Sequence, residues 1–435
     1  MKEGEGGAGV LRKAAGSRPR GWYRRQIAWL LVALLGLAAC LRSGDRPAHT
    51  GAPVESSVRA AAPEPSPTLV VVAGGYAVCA VRSGRAYCWG KLQDDNGRRP
   101  PKTRPESFGG AIVWRTIALA VRRGCGTSVD GRTYCWGAND RGQLGREPDT
   151  LDRAAPVAVP GLPPLVALAL SETHSCGLSE RGAMSCWGAN ASGELGRGLR
   201  MRWASPDSVL GGLRFKALAL RDNTTCALDL AGRPFCWGLD AAGVLGHPGP
   251  MACQDAHEAH DAPLVLARCE ALPALVDSGV QMNALALGVS GGGQACGVAG
   301  TGVPYCWGDS LVRVSLDTVA SGHVPPRPVP DSPPLVALTG GAQHWCGLTR
   351  DKRAYCWGDN LYGELGTGDT TRWSRQPRPV VGGLTFQMLS AGEEHTCGVT
   401  TDDRVYCWGR NYEGQMGTAS VKHSATPLEV VLPPE

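Results

Sequence analysis

The chain has 435 residues, with 44 lysines and arginines, 39 aspartates and glutamates, and a formal net charge of +5. Seven of the basic and two of the acidic residues precede Cys40, so the rest of the chain holds 37 of each and has no formal net charge. Proteins that bind nucleic acids normally present a basic face to the phosphates. The balance of charge therefore argues against that class, and we expect no nucleic-acid partner.

The N-terminal residues 1–39 have the pattern of an export signal. Arg24 and Arg25 precede an apolar stretch from Ile27 to Ala39, which is too short to span a bilayer comfortably but is typical of a signal peptide. It ends in Leu-Ala-Ala-Cys at Cys40, which resembles the lipobox of bacterial lipoproteins. The resemblance implies that residues 1–39 are removed and that Cys40 is lipidated. An uncleaved anchor and a simple signal peptide are the alternatives.

Residues 40–67 are rich in proline, alanine, serine and arginine and have no apolar periodicity. Such a composition does not build a packed core, so we predict a flexible tether between the lipid and the remainder of the chain. Residues 68–435 then form the folded domain.

A triplet, Cys-Trp-Gly, occurs seven times in this domain, and each copy has a partner cysteine nine or ten residues upstream. The steps between successive triplets are 47, 51, 50, 70, 50 and 51 residues, and a period near fifty indicates a repeat architecture. The cysteine pairs are Cys79 and Cys88, Cys125 and Cys135, Cys176 and Cys186, Cys226 and Cys236, Cys296 and Cys306, Cys346 and Cys356, and Cys397 and Cys407.

Each repeat contains a short apolar run, two alternating segments separated by turn residues, and a Pro-x-x-Val piece such as Pro156 to Val159. This pattern predicts four antiparallel strands and no helix. A lone four-stranded blade cannot bury its faces, so the sequence predicts an all-β, seven-bladed β-propeller. A last Pro-x-x-Val piece, Pro427 to Val430, ends the chain, and no copy precedes Leu69. We therefore expect the C-terminal strand to pair with the first blade and to close the ring.

The paired cysteines flank a turn, which places them opposite each other on neighbouring strands and predicts one disulfide in each blade. A zinc site would need four converging ligands, whereas each blade offers two cysteines, so we predict no metal. Seven disulfides would require an oxidising compartment.

A second motif, Asn-x-x-Gly-x-Leu-Gly, follows most of the triplets. It spans 139–145, 190–196, 360–366 and 411–417, has Asp240 in place of Asn in the fourth repeat, and is lost after Gly90 and Gly308. We assign its glycines to turns that need a positive φ and expect irregular rims in the first and fifth blades. His174, His344 and His395 precede the first cysteine of three repeats by two residues, and we interpret them as hydrogen-bonded structural histidines.

One insert, at about 247–282, stands outside the repeat and contains Cys253 and Cys269. The sequence Cys-x3-His-x2-His leaves zinc open, but a disulfide at the base of a projecting loop is the prediction for an exported protein. The loop between the cysteines is a candidate binding element through His257, His260 and Asp261.

The strings AxGxxHTCGL, YCWGxN and GQLG together resemble the repeat of the regulator of chromosome condensation family over residues 69–435. The resemblance implies a seven-bladed propeller. The family's eukaryotic founder is a nucleotide exchange factor for a Ran-type GTPase and binds chromatin, and other members resemble secreted bacterial propellers, one of which clamps a β-lactamase with loops on one face. Paired cysteines in every blade depart from the intracellular members and fit an exported branch.

The predicted function is a non-catalytic scaffold in the bacterial cell envelope, periplasmic or surface-facing. It would be anchored to the membrane by lipid, monomeric and free of cofactors, and would bind a protein or cell-surface ligand through the loops of one face. One alternative is an envelope enzyme, a glycan-directed hydrolase or lyase using the axial funnel, with Asp140, Glu194, Asp359 and Glu394 as candidate acids. Guanine-nucleotide exchange is a third hypothesis, which export argues against.

Overall fold

The computed structural model describes residues 69–92, 100–240, 243–247, 251–253, 267–288, 294–308 and 325–434. The predicted leader, Cys40, the tether and the candidate residues His257, His260 and Asp261 lie outside this part of the chain. No helix within it is long and apolar enough to cross a bilayer.

The described residues form seven antiparallel sheets, each a meander of strands in chain order except for one addition in blade 4. Blade 1 contains β1 (Leu69–Gly74), β2 (Ala77–Arg82), β3 (Arg85–Gly90) and β4 (Lys102–Phe108). Blade 2 contains β5 (Trp114–Leu119), β6 (Arg123–Ser128), β7 (Thr133–Gly137) and β8 (Arg153–Ala158). Blade 3 contains β9 (Leu165–Leu170), β10 (His174–Ser179), β11 (Met184–Asn190) and β12 (Met201–Ser208). Blade 4 contains β13 (Phe215–Arg221), β14 (Thr224–Asp229), β15 (Pro234–Asp240), β16 (Met251–Cys253) and β17 (Ala267–Leu275).

The remaining blades follow the same plan. Blade 5 contains β18 (Met282–Leu287), β19 (Gln294–Ala299), β20 (Pro304–Gly308) and β21 (Arg327–Pro328). Blade 6 contains β22 (Leu335–Gly340), β23 (His344–Thr349), β24 (Ala354–Asp359) and β25 (Trp373–Pro379). Blade 7 contains β26 (Phe386–Ala391), β27 (His395–Thr400), β28 (Val405–Arg410) and β29 (His423–Val430). The predicted seven-bladed, all-β fold is confirmed.

The second and third strands of each blade form a hairpin whose register places the two cysteines directly opposite each other, as with Cys176 and Cys186. All seven predicted intrablade disulfides are present, with Cα–Cα distances of 4.0–4.1 Å. In blade 1 the shorter spacing is absorbed by a two-residue turn in which Ser83 and Gly84 have φ values of 49° and 79°, the left-handed pair that a tight hairpin needs.

The first strands line the axis of the ring, because each contacts the first strand of the next blade, and β26 of blade 7 contacts β1 of blade 1. The core lies between the blades rather than at one centre. The seven tryptophans of the Cys-Trp-Gly triplets are all buried in these interfaces: Trp89, Trp136, Trp187, Trp237, Trp307, Trp357 and Trp408. Each blade thus supplies half of two apolar interfaces, which is why the isolated repeat could not fold stably.

The ring closes where blade 7 packs against blade 1, and the C-terminal strand takes part in this contact through Val430, which clusters with Val71 and Trp89. The expected pairing of this strand with blade 1 is wrong. β29 pairs with β28 of its own blade, because β4 already supplies the fourth strand of blade 1. The ring therefore closes without strand pairing between blades 7 and 1, through apolar packing and individual hydrogen bonds.

The insert adds a fifth strand, β16, to the outer edge of blade 4. The predicted Cys253–Cys269 disulfide is not formed, since Cys269 is a buried free thiol. The register explains this: Cys253 pairs with Ala267, whereas Cys269 lies opposite Met251, two positions along the strand. The fourth strand of blade 5 has only two residues. The predicted irregular rims of blades 1 and 5 fall on residues 93–99 and 309–324, which lie outside the described residues.

Candidate binding surface

The antiparallel order of the strands creates two faces. The loops from the first to the second strand and from the third to the fourth strand emerge on one end of every blade, which we call the loop face. The opposite end, which we call the turn face, carries the hairpin turns between the second and third strands and the connections to the next blade. The Asn-x-x-Gly-x-Leu-Gly motif lies on the loop face.

This motif joins neighbouring blades. In blade 3 the Asn190 side chain accepts a hydrogen bond from Leu195 N at 3.0 Å and donates to the Leu199 carbonyl at 2.8 Å. The folded loop then presents the Glu194 carbonyl to the next blade, where Trp237 Nε1 donates to it at 2.9 Å. The motif therefore has a structural role. We call this loop, closed by the asparagine and bonded through its backbone carbonyl to the next blade, a latch.

The same latch recurs around the ring. An indole N–H donates to the preceding blade's loop carbonyl in the pairs Trp89–Gln415, Trp187–Gln143, Trp237–Glu194, Trp307–Val244 and Trp408–Glu364, at 2.7–3.0 Å. The Trp136 indole of blade 2 is buried without a partner. The preceding blade there is blade 1, whose sequence lacks the motif after Gly90.

Two of the three histidines make a second interblade bond, as the structural interpretation predicts. His174 Nε2 lies 2.8 Å from Thr225 Oγ1, and His344 Nε2 lies 2.9 Å from Thr396 Oγ1, each in the next blade. His395 differs: the backbone of Ala77 lies near its ring, but neither ring nitrogen makes a hydrogen bond. Burial lowers the pKa of His174 and His395 to about 3 and that of His344 to about 4. All three rings are therefore neutral at physiological pH.

The four acids that the sequence offered to an axial enzyme site are not gathered in one place. Asp140, in blade 2, accepts a hydrogen bond from Gln143 at 2.9 Å, and Glu194 is fully buried beneath its own loop in blade 3. The charge of Glu394, in blade 7, raises the pKa of Asp359, in blade 6. Glu394 is paired with the Arg410 guanidinium. Within the described residues no three His, Cys, Asp or Glu side chains form a group that could hold a metal ion.

A cluster of aromatic side chains occupies the loop face where blades 6, 7 and 1 meet. The Arg410 guanidinium lies 5.1 Å from the ring centroid of Tyr412, 5.4 Å from that of Tyr362 and 5.5 Å from that of Tyr76. The rings of Tyr362 and Tyr412 also meet edge to face at 6.0 Å. Cation–π and edge-to-face contacts of this kind fix ring orientation. The guanidinium therefore holds three rings from three blades in one arrangement.

This cluster is open to solvent. Tyr412 is 51% exposed and the neighbouring Leu361 is 49% exposed. We call the three tyrosines around Arg410, Tyr76, Tyr362 and Tyr412, together with Leu361, which precedes Tyr362 in the chain, the tyrosine patch. Sequence reasoning missed it because its members come from three repeats. The sequence feature that could have predicted the patch is the presence of aromatic and aliphatic residues directly after Asn360 and Asn411. The second and third repeats have Asp-Arg and Ala-Ser at these positions.

Carboxylates border the tyrosine patch. Burial raises the pKa of Tyr76, and so do its hydrogen bond to Glu393 and the charges of Glu393 and Glu394. Burial also raises the pKa of Asp359, with Glu394 contributing in the same direction. Across the axis, burial and the charges of Asp222 and Glu393 raise the pKa of Glu172. At each site burial is the main cause and a carboxylate acts in the same direction, whereas Arg410, Arg372 and Arg122 act in the opposite direction on Tyr76, Asp359 and Glu172 respectively.

Comparison with known proteins identifies the family of the repeat. Family models described as the regulator of chromosome condensation (RCC1) repeat match residues 130–178 and 351–399, and, in a second form, residues 336–364 and 389–415. The ultraviolet-B receptor UVR8 of Arabidopsis thaliana is 25% identical over 381 residues, which cover 85% of this chain and 71% of the receptor.

Another relative is the mitochondrial RCC1 domain-containing protein RUG3 of Arabidopsis thaliana, which is 24% identical over 320 residues, or 70% of this chain. The match spans only 56% of RUG3. Among solved structures, human WBSCR16 superimposes with a TM-score of 0.64 at 17% identity, covering 81% of this chain and 95% of that protein. Yeast RCC1 (Prp20), solved bound to Kap60, gives 0.61 at 18% identity, covering 80% and 83%.

Proposed function

Because this chain is a seven-bladed propeller of regulator of chromosome condensation repeats, we propose that it is a non-catalytic scaffold that binds a partner protein through the tyrosine patch. The observation that carries the proposal is the exposure of Tyr412 and Leu361 beside a fixed Arg410. Tyrosine and arginine are the residues most often found at the energetic centres of protein interfaces. The yeast RCC1 structure, with its bound Kap60, supports protein as the ligand class.

The scaffold is well suited to this task because its surface is held in place before binding. Disulfides staple every hairpin, and the latches of Asn360 and Asn411 fix the two loops that carry Tyr362 and Tyr412. Little conformational entropy is then lost when a partner binds, which favours affinity.

Seven disulfides indicate an oxidising, extracytoplasmic compartment. We propose that the chain is held at a bacterial membrane by a lipid on Cys40 and that residues 40–67 act as its tether; the lipobox-like sequence supports this. Cys40→Ser should move the protein from the membrane fraction to the soluble fraction. Its retention in membranes would instead favour an uncleaved anchor.

Site-specific crosslinking tests the binding surface. A photoreactive amino acid at Tyr412 should yield a discrete adduct in cells that naturally make the protein, and the adduct should weaken when Leu361 is changed to alanine. The matched control is the same photoreactive residue at Leu230, which is 64% exposed on the hairpin turn of blade 4, on the turn face. Equal adducts from both positions, or none from position 412, would contradict the proposal. The predicted contact through His257, His260 and Asp261 stays a separate prediction.

A further inference from the structure

The charges around the tyrosine patch identify the chemistry of the partner, on the premise that the patch is the binding surface. Four carboxylates border it. Asp359, Glu394 and Glu413 are half-buried, whereas Glu393 is buried and hydrogen-bonded to Tyr76. Arg410 is committed to Glu394 and to the three rings, and Arg372 lowers the pKa of Asp359. Four carboxylates thus stand against two guanidinium groups, so the border carries more negative than positive charge.

Further carboxylates lie towards the axis, but arginines accompany them. The charges of Asp222 and Glu393 raise the pKa of Glu172, whereas those of Arg122 and Arg123 lower it, and Asp222 is paired with Arg221 at 3.0 Å. The excess of negative charge is therefore confined to the border of the tyrosine patch.

The tyrosine rings already bind one cation, the Arg410 side chain. The Arg410 guanidinium lies within 5.5 Å of three tyrosine ring centroids, a distance at which a cation is attracted to the ring face. Tyr412 remains about half exposed on its outer side. A second cation placed there would lie between an aromatic surface and the carboxylate of the half-buried Glu413, which follows Tyr412 in the chain, and both attractions would act in the same direction.

We propose that the partner presents a lysine- or arginine-bearing segment to the tyrosine patch, with its cationic side chain against Tyr412 and the bordering carboxylates. Charge complementarity argues for this occupant, and the apolar surface of Leu361 would receive the aliphatic part of the same side chain or its neighbour.

The test uses two labelled peptides, hexalysine and hexaglutamate, and the purified full chain, with fluorescence anisotropy at 20 and 200 mM NaCl. Hexalysine should bind, hexaglutamate should not, and the Kd for hexalysine should rise about fivefold or more at the higher salt because the screening length is roughly threefold shorter. Binding of both peptides alike, or of neither, would overturn the proposal.

Two variants locate the contact. Glu413→Gln removes one charge beside Tyr412 and should raise the Kd about fivefold, and Tyr412→Ala should raise it about tenfold. The control is Asp403→Asn, which removes one charge from the turn face of the same blade and retains the oxygen that Gln387 donates to; its Kd should change less than twofold. Equal weakening by Glu413→Gln and Asp403→Asn would mean diffuse attraction and would sink the proposal.

Failure here can be distinguished from failure of the proposed function. If the crosslink from position 412 persists but the peptides show no charge preference, the patch binds a partner of different chemistry. If the crosslink is absent as well, the patch is not a binding surface.

Discussion

Replacing the buried Glu364 by glutamine should stabilise the propeller, and by more at pH 8 than at pH 5. Glu364 is 1% exposed, and its Oε2 accepts a hydrogen bond from Tyr362 N at 2.9 Å. Blades 2 and 7 have Gln143 and Gln415 at the same motif position, and these accept the equivalent backbone hydrogen bond through Oε1 at 2.7 and 2.8 Å. The fold therefore accommodates an amide at this position in both blades, with its nitrogen hydrogen-bonded at Gln143 and buried without a partner at Gln415.

The expected magnitude follows from the pKa of Glu364, which burial raises from 4.5 to about 7, with the charges of Asp359 and Glu394 acting in the same direction. A raised pKa in the folded state means that stability is intact below pH 4.5 and falls as the pH rises to about 7, since the unfolded chain ionises first. A difference of about 2.5 units corresponds to roughly 3 kcal/mol lost above pH 7. Glutamine does not ionise and avoids this loss.

Guanidinium unfolding followed by tryptophan fluorescence, without reductant, measures the effect. The midpoint of Glu364→Gln should exceed that of the wild type clearly at pH 8 and only slightly at pH 5. Glu147→Gln is the control, because it makes the same change on an exposed side chain, and it should leave the difference between the two pH values unchanged. An equal midpoint shift at both pH values, or a less stable variant at pH 8, would refute the reasoning.

Three further outcomes are expected. Val78 occupies in blade 1 the place that threonine holds in blades 4 and 7, so Val78→Thr should give the unpaired His395 a partner and should melt no lower than the wild type. Val399 is equally buried, and Val399→Thr, the control, should lower the stability by about 1–3 kcal/mol. Asn190→Ala removes the support of a latch and should lower the stability by about 1–3 kcal/mol in the same unfolding assay; an unchanged midpoint would contradict the latch. Peptide mass spectrometry should find Cys269 alkylated only after unfolding; modification of the native protein would contradict its burial.

The number of blades and the hairpin pairing could be predicted from the sequence because both are local and repeated. Cys186 follows Cys176 by ten positions, so the turn that joins them also fixes their register. The closure of the ring was harder to predict. The fourth strand of blade 1 contains Pro105-Glu106-Ser107-Phe108, a Pro-x-x-Phe variant of the expected piece. Because this variant does not match the motif, the sequence pattern leaves blade 1 without a fourth strand, and the C-terminal segment is the one that fits that place.

The tyrosine patch could not be predicted from one repeat. Tyr76, Tyr362 and Tyr412 lie in different blades, and only the closed ring brings the first of them beside the last. Their meeting depends on the contact between blades 7 and 1, where Glu393 N donates to the Gly75 carbonyl at 3.0 Å. A periodic pattern predicts the residues that all repeats have in common, whereas the tyrosine patch consists of residues that differ from repeat to repeat.

The closure of the ring without strand exchange bears on how such a chain can be rearranged. Each blade is one uninterrupted segment, and the seam between blades 7 and 1 uses the same indole and apolar contacts as the internal seams. The position of the chain ends is consequently arbitrary from the viewpoint of packing. A circularly permuted gene beginning at Leu165, with its old ends joined by a linker, should encode the same ring. Duplication or loss of one whole blade would likewise require a change of curvature but no new strand pairing.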